Sequence, residues 1–254
     1  MATYIEQAIG LKFPPLAIYF AQELPQEAKM TESICAMLLV AQAAKGETVA
    51  LTRSSCSCHG AASGFGLEPM QPEAFPGGKE CLLRFLSIGN QDWETGQAVI
   101  KQLKDGGAPK ILIEEFSEGE GFLKTPELVD EWVKSLPEAK PEGPYVIMKP
   151  LKDLEPGKTP KAVAFLVDAD QLSALTVLAN FGGHGNRVSI PFGAGCNCFG
   201  LYVFAEAEKQ IPKAIVGLTD ISARFYTRKP LGKDILSFSV PYRKNNEVYW
   251  SLDR

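Results

Sequence analysis

The sequence predicts an α/β (or α+β) fold, internally duplicated. Two similar strand-helix-strand-helix halves stand in a pseudo-two-fold relation, with a helical insertion between them. Three observations lead there. Short apolar runs alternate with longer segments of helical periodicity. The tripeptide Cys-x-Cys occurs twice, as Cys56-Ser57-Cys58 and Cys196-Asn197-Cys198, 140 residues apart. Around the two copies, residues 56–85 and 196–225 agree without a gap at nine of thirty positions. Composition alone gives roughly two. The 254 residues read as a single compact unit, with a first half over about 12–90, the insertion over about 90–140 and a second half over about 143–254.

Each element has a local reason. Pro15 to Phe20 is an apolar run behind two prolines and reads as a strand. Thr31 is placed to cap a helix running to about Ala44, with Gly46 as its stop. That helix is apolar almost all round, which implies deep burial. Thr48 to Thr52 is the next strand and leads into Cys56. In the insertion, Thr125 followed by Pro126 starts a helix, and Leu128, Val129, Trp132, Val133 and Leu136 give it one apolar stripe. Residues 137–144 and 152–161 are connectors rich in Pro, Lys and Glu. Ala162 to Val167 is a strand without a charge, and Asp168 to Gln171 has the pattern of a capping box for a helix ending at Gly182-Gly183. Arg187 to Ile190 is a strand leading through glycines into Cys196. Ile235 to Pro241 alternates like a strand, with Glu247 to Trp250 as its expected hairpin partner.

Composition narrows the chemistry. The chain is 45% hydrophobic and 22% charged, with a net charge of −4. No basic run interleaved with aromatics points to nucleic acid, and no apolar stretch reaches the roughly 18 residues of a membrane span. The N-terminus lacks the basic and apolar regions of a signal peptide, so a cytoplasmic location is expected. Thiols there are kept reduced, and six cysteines are candidates for metal or redox work before structural disulfides.

On an extended segment, residues i and i+2 face the same way, so each Cys-x-Cys presents two sulfurs together. Four sulfurs from Cys56, Cys58, Cys196 and Cys198 can ligate one [4Fe-4S] cluster or a tetrahedral zinc ion. Ligand softness and apolar, glycine-lined surroundings favour the cluster. Gly60 and Gly200 allow close approach of the backbone, and His59, whose counterpart is Phe199, reads as a pocket wall. Arg84 and Arg224 repeat at the same offset and either face an anionic cofactor or ligand or pair with Glu68 and Glu208. The plain alternative is that the cysteines are small buried residues at packed turns. Cys35 and Cys81 lie outside the pattern and read as core, and His184 belongs to a glycine-rich turn. No Ser/His/Asp triad or phosphate-binding loop occurs.

The chain resembles a prokaryotic family catalogued as domain of unknown function 169. The resemblance rests on Cys58-His-Gly-Ala61, Pro191-Phe-Gly-Ala-Gly-Cys196, Gly217-Leu-Thr-Asp-Ile-Ser-Ala-Arg224 and Leu236-Ser-Phe-Ser-Val-Pro241, which with the N-terminal strand span most of the chain. It implies a soluble prokaryotic protein with a cysteine-bound cofactor and supplies no reaction. The leading expectation is an iron–sulfur protein serving electron transfer, or an oxidoreductase acting on a small molecule or a redox partner protein. A non-catalytic small-molecule or zinc-binding module and a thiol–disulfide redox protein are the alternatives. The shared site lies within one chain or across a homodimer.

Overall fold

The computed structural model describes residues 4–56, 58–183 and 185–242. The chain divides into two compact units, residues 1–69 with 137–254 and residues 70–136.

The apolar runs become the strands of the larger unit: β1 (Leu16–Ala21), β2 (Val49–Leu51), β3 (Tyr145–Pro150), β4 (Ala162–Val167), β5 (Val188–Ser189), β6 (Ala214–Gly217) and β7 (Leu236–Pro241). They form one mixed sheet in the order β2-β3-β1-β4-β7-β6-β5. Its ladders are antiparallel except the β5–β6 pair. Leu16 of β1 stands between Pro150 on one side and Ala164 on the other. Alternation then divides the side chains between two faces. Leu16, Ile18, Val146, Met148, Ala164 and Leu166 enter one core, while Val163, Phe165, Val167, Phe238 and Val240 enter another.

Helices cover both faces. On the first lie α2 (Ala36–Ala44), α3 (Gly60–Gly64), α9 (Gly195–Phe199) and α11 (Ile221–Thr227), whose buried residues share a core with the sheet; α10 (Leu201–Glu206) follows α9 directly. On the second lie α1 (Tyr4–Ala8) and α8 (Ala169–Phe181). The smaller unit holds α4 (Gly78–Phe85), α5 (Glu94–Asp105), α6 (Lys110–Glu118) and α7 (Pro126–Ser135). Its core joins Phe75, Cys81, Val99 and Phe116, and the buried Asn90 amide donates to the carbonyls of Cys81 (3.1 Å) and Phe116 (3.2 Å).

Several expectations hold to the residue. The Asp168/Gln171 capping box opens α8, with bonds of 3.0 and 3.1 Å. Thr125 caps α7 through the Leu128 N–H. Others move. The helix expected from Thr31 starts at Ala36, because Lys29 and Ser33 are extended and bridge to Val49 and Cys56. On α7 only Val129 is buried and Leu128 is exposed, so the stripe is not one face of a core. The expected hairpin partner, residues 247–250, and the Asn245-Asn246 turn lie outside the described residues.

The two aligned segments differ in structure over part of their length. Residues 74–77 are the end of a turn, whereas their counterparts 214–217 form β6. Gly77 precedes α4 with φ +81°, while Gly217 sits in a sheet. The first copy also divides between the two units at Met70. The copies share a helix starting at or just after Gly60 and Gly200, and a helix holding Arg84 and Arg224 near its end.

Candidate functional site

The two Cys-x-Cys segments fold differently. Cys56 is extended and bridged to Ser33, and Cys58 is exposed just before α3. Cys196 and Cys198 instead lie inside α9, which is buried throughout. At 3.6 residues per turn, residues i and i+2 point roughly 200° apart. The same-face argument fails there for that reason.

Cys196 turns toward α3. Its Sγ donates to the Gly60 carbonyl at 3.5 Å and packs on Gly64, where a Cβ would meet it at 2.4 Å. Cys198 turns to the sheet, among Ala162, Val203 and Ile215, and packs on Gly217, where a Cβ would meet its own Cβ at 2.3 Å. Among the described residues, no group of three or more His, Cys, Asp or Glu side chains is placed to hold a metal ion. The expected four-thiolate site is therefore not assembled, and the iron–sulfur function drawn from it is corrected. The same geometry offers zinc no donor set among the described residues.

What gathers instead is a set of thiols around Cys196. Burial pushes the Cys196 thiol well above its ordinary value, and Cys58, then Cys35 and Asp220, add to the rise. Cys35 is the N-cap of α2, and Cys56 sits beside it with Sγ 3.5 Å from the Ile34 carbonyl. Burial raises Cys56, while the N–H groups of Cys58 and Ala36 oppose that rise. Cys198 is pushed up to about 12 by burial and then by Asp220.

Asp220 is the carboxylate of this neighbourhood. It caps α11, its Oδ1 accepting from the Ala223 N–H at 2.7 Å and the Ser222 hydroxyl at 3.1 Å. Its Oδ2 is buried and has no hydrogen-bond partner among the described residues. Burial raises Asp220 above the usual carboxylate range, against the lowering by Ala223, Ser222 and Gly195. Sequence alone assigns Asp220 no role, and Cys35, read from it as core, is only partly buried. The signal for Asp220 was an N-cap residue at the start of α11. For Cys35 it was a place at the head of an apolar helix.

The other expected site residues scatter. His59 is exposed as the residue before α3, while its counterpart Phe199 is fully buried. Around Gly60 there is room, the nearest atom to a Cβ being the Cys58 sulfur at 3.9 Å. A Cβ on Gly200 would meet the Gly64 carbonyl oxygen at 2.5 Å and the Phe65 Cα at 2.6 Å. Arg224 donates to the carbonyls of Leu218 (3.3 Å), Ile235 (3.1 Å) and Lys233. It thereby holds Leu218, a buried residue with φ +57°, in the left-handed region. Arg84 belongs to the smaller unit and lies over the Trp93 ring at 5.6 Å. Glu68 and Glu208 pair with Arg53 (3.4 Å) and Lys140 (2.7 Å), not with the repeated arginines. Cys81 is core, and His184 lies outside the described residues. No helix among the described residues is long and apolar enough to cross a membrane.

Comparison with curated proteins and with solved structures finds no match. One family profile, described as an uncharacterised ArCR, matches residues 4–249, nearly the whole chain, and on that match the chain belongs to the DUF169 family.

Proposed function

We propose that the protein is a thiol–disulfide redox protein whose working pair is Cys58 and Cys196. One observation carries this reading: an exposed thiol and a buried one, far apart in sequence, both abut Gly60. Cys58, open to solvent, attacks a disulfide R–S–S–R. A mixed disulfide forms on Cys58 and one R–S⁻ leaves. Cys196, held as a thiol by its burial, does not compete for that first step. It then attacks the Cys58 sulfur and gives up its thiol proton to the departing thiolate. The second R–S⁻ leaves, and both leaving thiolates take up the two thiol protons. The sum is protein dithiol plus R–S–S–R giving protein disulfide plus two R–SH.

A Cys58–Cys196 bond would close a loop of 138 residues (196 − 58). Chain entropy assigns such a loop about 5 kcal/mol of stabilisation. Reduced protein is treated with 2-hydroxyethyl disulfide, alkylated and digested for peptide mapping. The expected product is a cross-link between the peptides holding Cys58 and Cys196. Cys196→Ser should stall with 2-mercaptoethanol attached to Cys58. A cross-link confined to other cysteines, or none, sinks the reading.

A further inference from the structure

Beside Cys35 and Cys56 runs a groove of about 420 Å³ along α2. Ile34, Leu38 and Pro230 give it an apolar floor. Glu32 stands at the end nearest the cysteines, where Ser33 bridges to Cys56 and Ile34 accepts from the Cys56 sulfur. Lys45 stands at the far end, one residue past α2. Both are exposed, and neither forms an ion pair among the described residues. Between them the Gln42 Oε1 is buried without a hydrogen-bond partner among the described residues. The nine residues of α2 span roughly 13 Å. An extended peptide of about four residues covers that length.

Resting on the thiol–disulfide reading above, we infer that this groove seats the disulfide co-reactant, a small zwitterionic peptide disulfide. Its ammonium lies at Glu32 and a carboxylate at Lys45. Its apolar backbone atoms lie over Leu38 and Pro230, and an amide N–H donates to the Gln42 oxygen. The ammonium end then lies toward Cys35 and Cys56 at the start of α2. Opposite charges at the two ends select against neutral disulfides and against chains of one charge sign. An unpartnered buried acceptor adds selection for a donor at mid-length.

The test separates binding from chemistry. The Cys58→Ser/Cys196→Ser protein is titrated with oxidised glutathione by calorimetry, so that no exchange occurs. Saturable binding is expected. Glu32→Lys and Lys45→Glu, both surface changes, should each weaken it at least tenfold, and 0.5 M salt should weaken it further. The rate with oxidised glutathione, taken relative to that with neutral 2-hydroxyethyl disulfide, should fall at least tenfold in Lys45→Glu compared with wild-type protein. Absent binding, or binding indifferent to both reversals, overturns the inference. If the neutral disulfide still produces the Cys58–Cys196 bond, that failure belongs to the groove alone. Conversely, binding that responds to both reversals without any Cys58–Cys196 bond keeps the groove as a peptide site and removes the redox reading.

Discussion

The Cys196 sulfur donates to the Gly60 carbonyl oxygen at 3.5 Å, joining residues 136 positions apart. The two repeated segments thus touch, but through one thiol and one backbone oxygen, not through four sulfurs. That contact depends on how closely α9 approaches α3, and glycines set the approach.

Gly60 and Gly200 are equivalent in the sequence repeat and opposite in packing. Gly200→Ala places a methyl 2.5 Å from a backbone oxygen that cannot swing away. It is expected to cost about 2–3 kcal/mol. Gly60→Ala meets nothing closer than 3.9 Å and opens a helix, so it is expected to be neutral or slightly stabilising. Denaturant unfolding of the two variants checks the asymmetry. Equal losses would contradict the packing described.

Alkaline stability follows from the buried thiols. An ordinary thiol loses its proton near pH 9.0, and burial raises Cys198 to about 12 in the fold. Folding stability is then fully present below pH 9 and is lost as pH rises toward 12. In that window the unfolded chain holds fewer protons, and the slope is about −1.4 kcal/mol per pH unit for each such group. Cys196 adds to the same limb, in the same direction. Cys198→Ala should flatten the curve of unfolding free energy between pH 9 and 10.5.

An acid limb is expected at the other side of the sheet. Lys149 is buried in β3 and bonds to Glu27 at 2.9 Å and Glu155 at 3.0 Å. Glu155 is lowered from 4.5 to about 2, by its own backbone N–H first and then by Lys149. Its contribution is present above pH 4.5 and lost as pH falls toward 2. Glu155→Gln should flatten stability across that interval. Glu27→Gln with Glu155→Gln leaves the Lys149 ammonium buried without a carboxylate and should cost about 3 kcal/mol at pH 7. Lys149→Met in the double variant should recover most of that loss.

The strands legible in the sequence are those whose apolar character is continuous or alternating. β1, β2, β4 and β7 were all anticipated within a residue or two. β3 is masked in sequence: Tyr145-Val-Ile-Met148 is an aromatic and β-branched run, but it directly follows a Pro-rich connector. β6 was hidden by the repeat itself, since the alignment paired Ala214 to Gly217 with a turn. For the site, the error lay in the period. Cys-x-Cys implies neighbouring sulfurs only in extended chain, and Cys196 and Cys198 are helical. Single-sequence repetition also measures only residue identity. It gave no access to Cys35 and Asp220, which reach the thiols through tertiary packing of α2 and α11.

The order of the sheet carries a consequence for synthesis. Both neighbours of β1, β3 and β4, begin more than 120 residues after it. At 5–20 residues per second, β1 waits roughly 6–25 s on the ribosome before either partner emerges. During that time its apolar residues have no edge to pair with. The nascent chain is therefore most exposed to misassociation over its own first strand, and its yield in cells should depend on what shields that strand until residue 167 has been made.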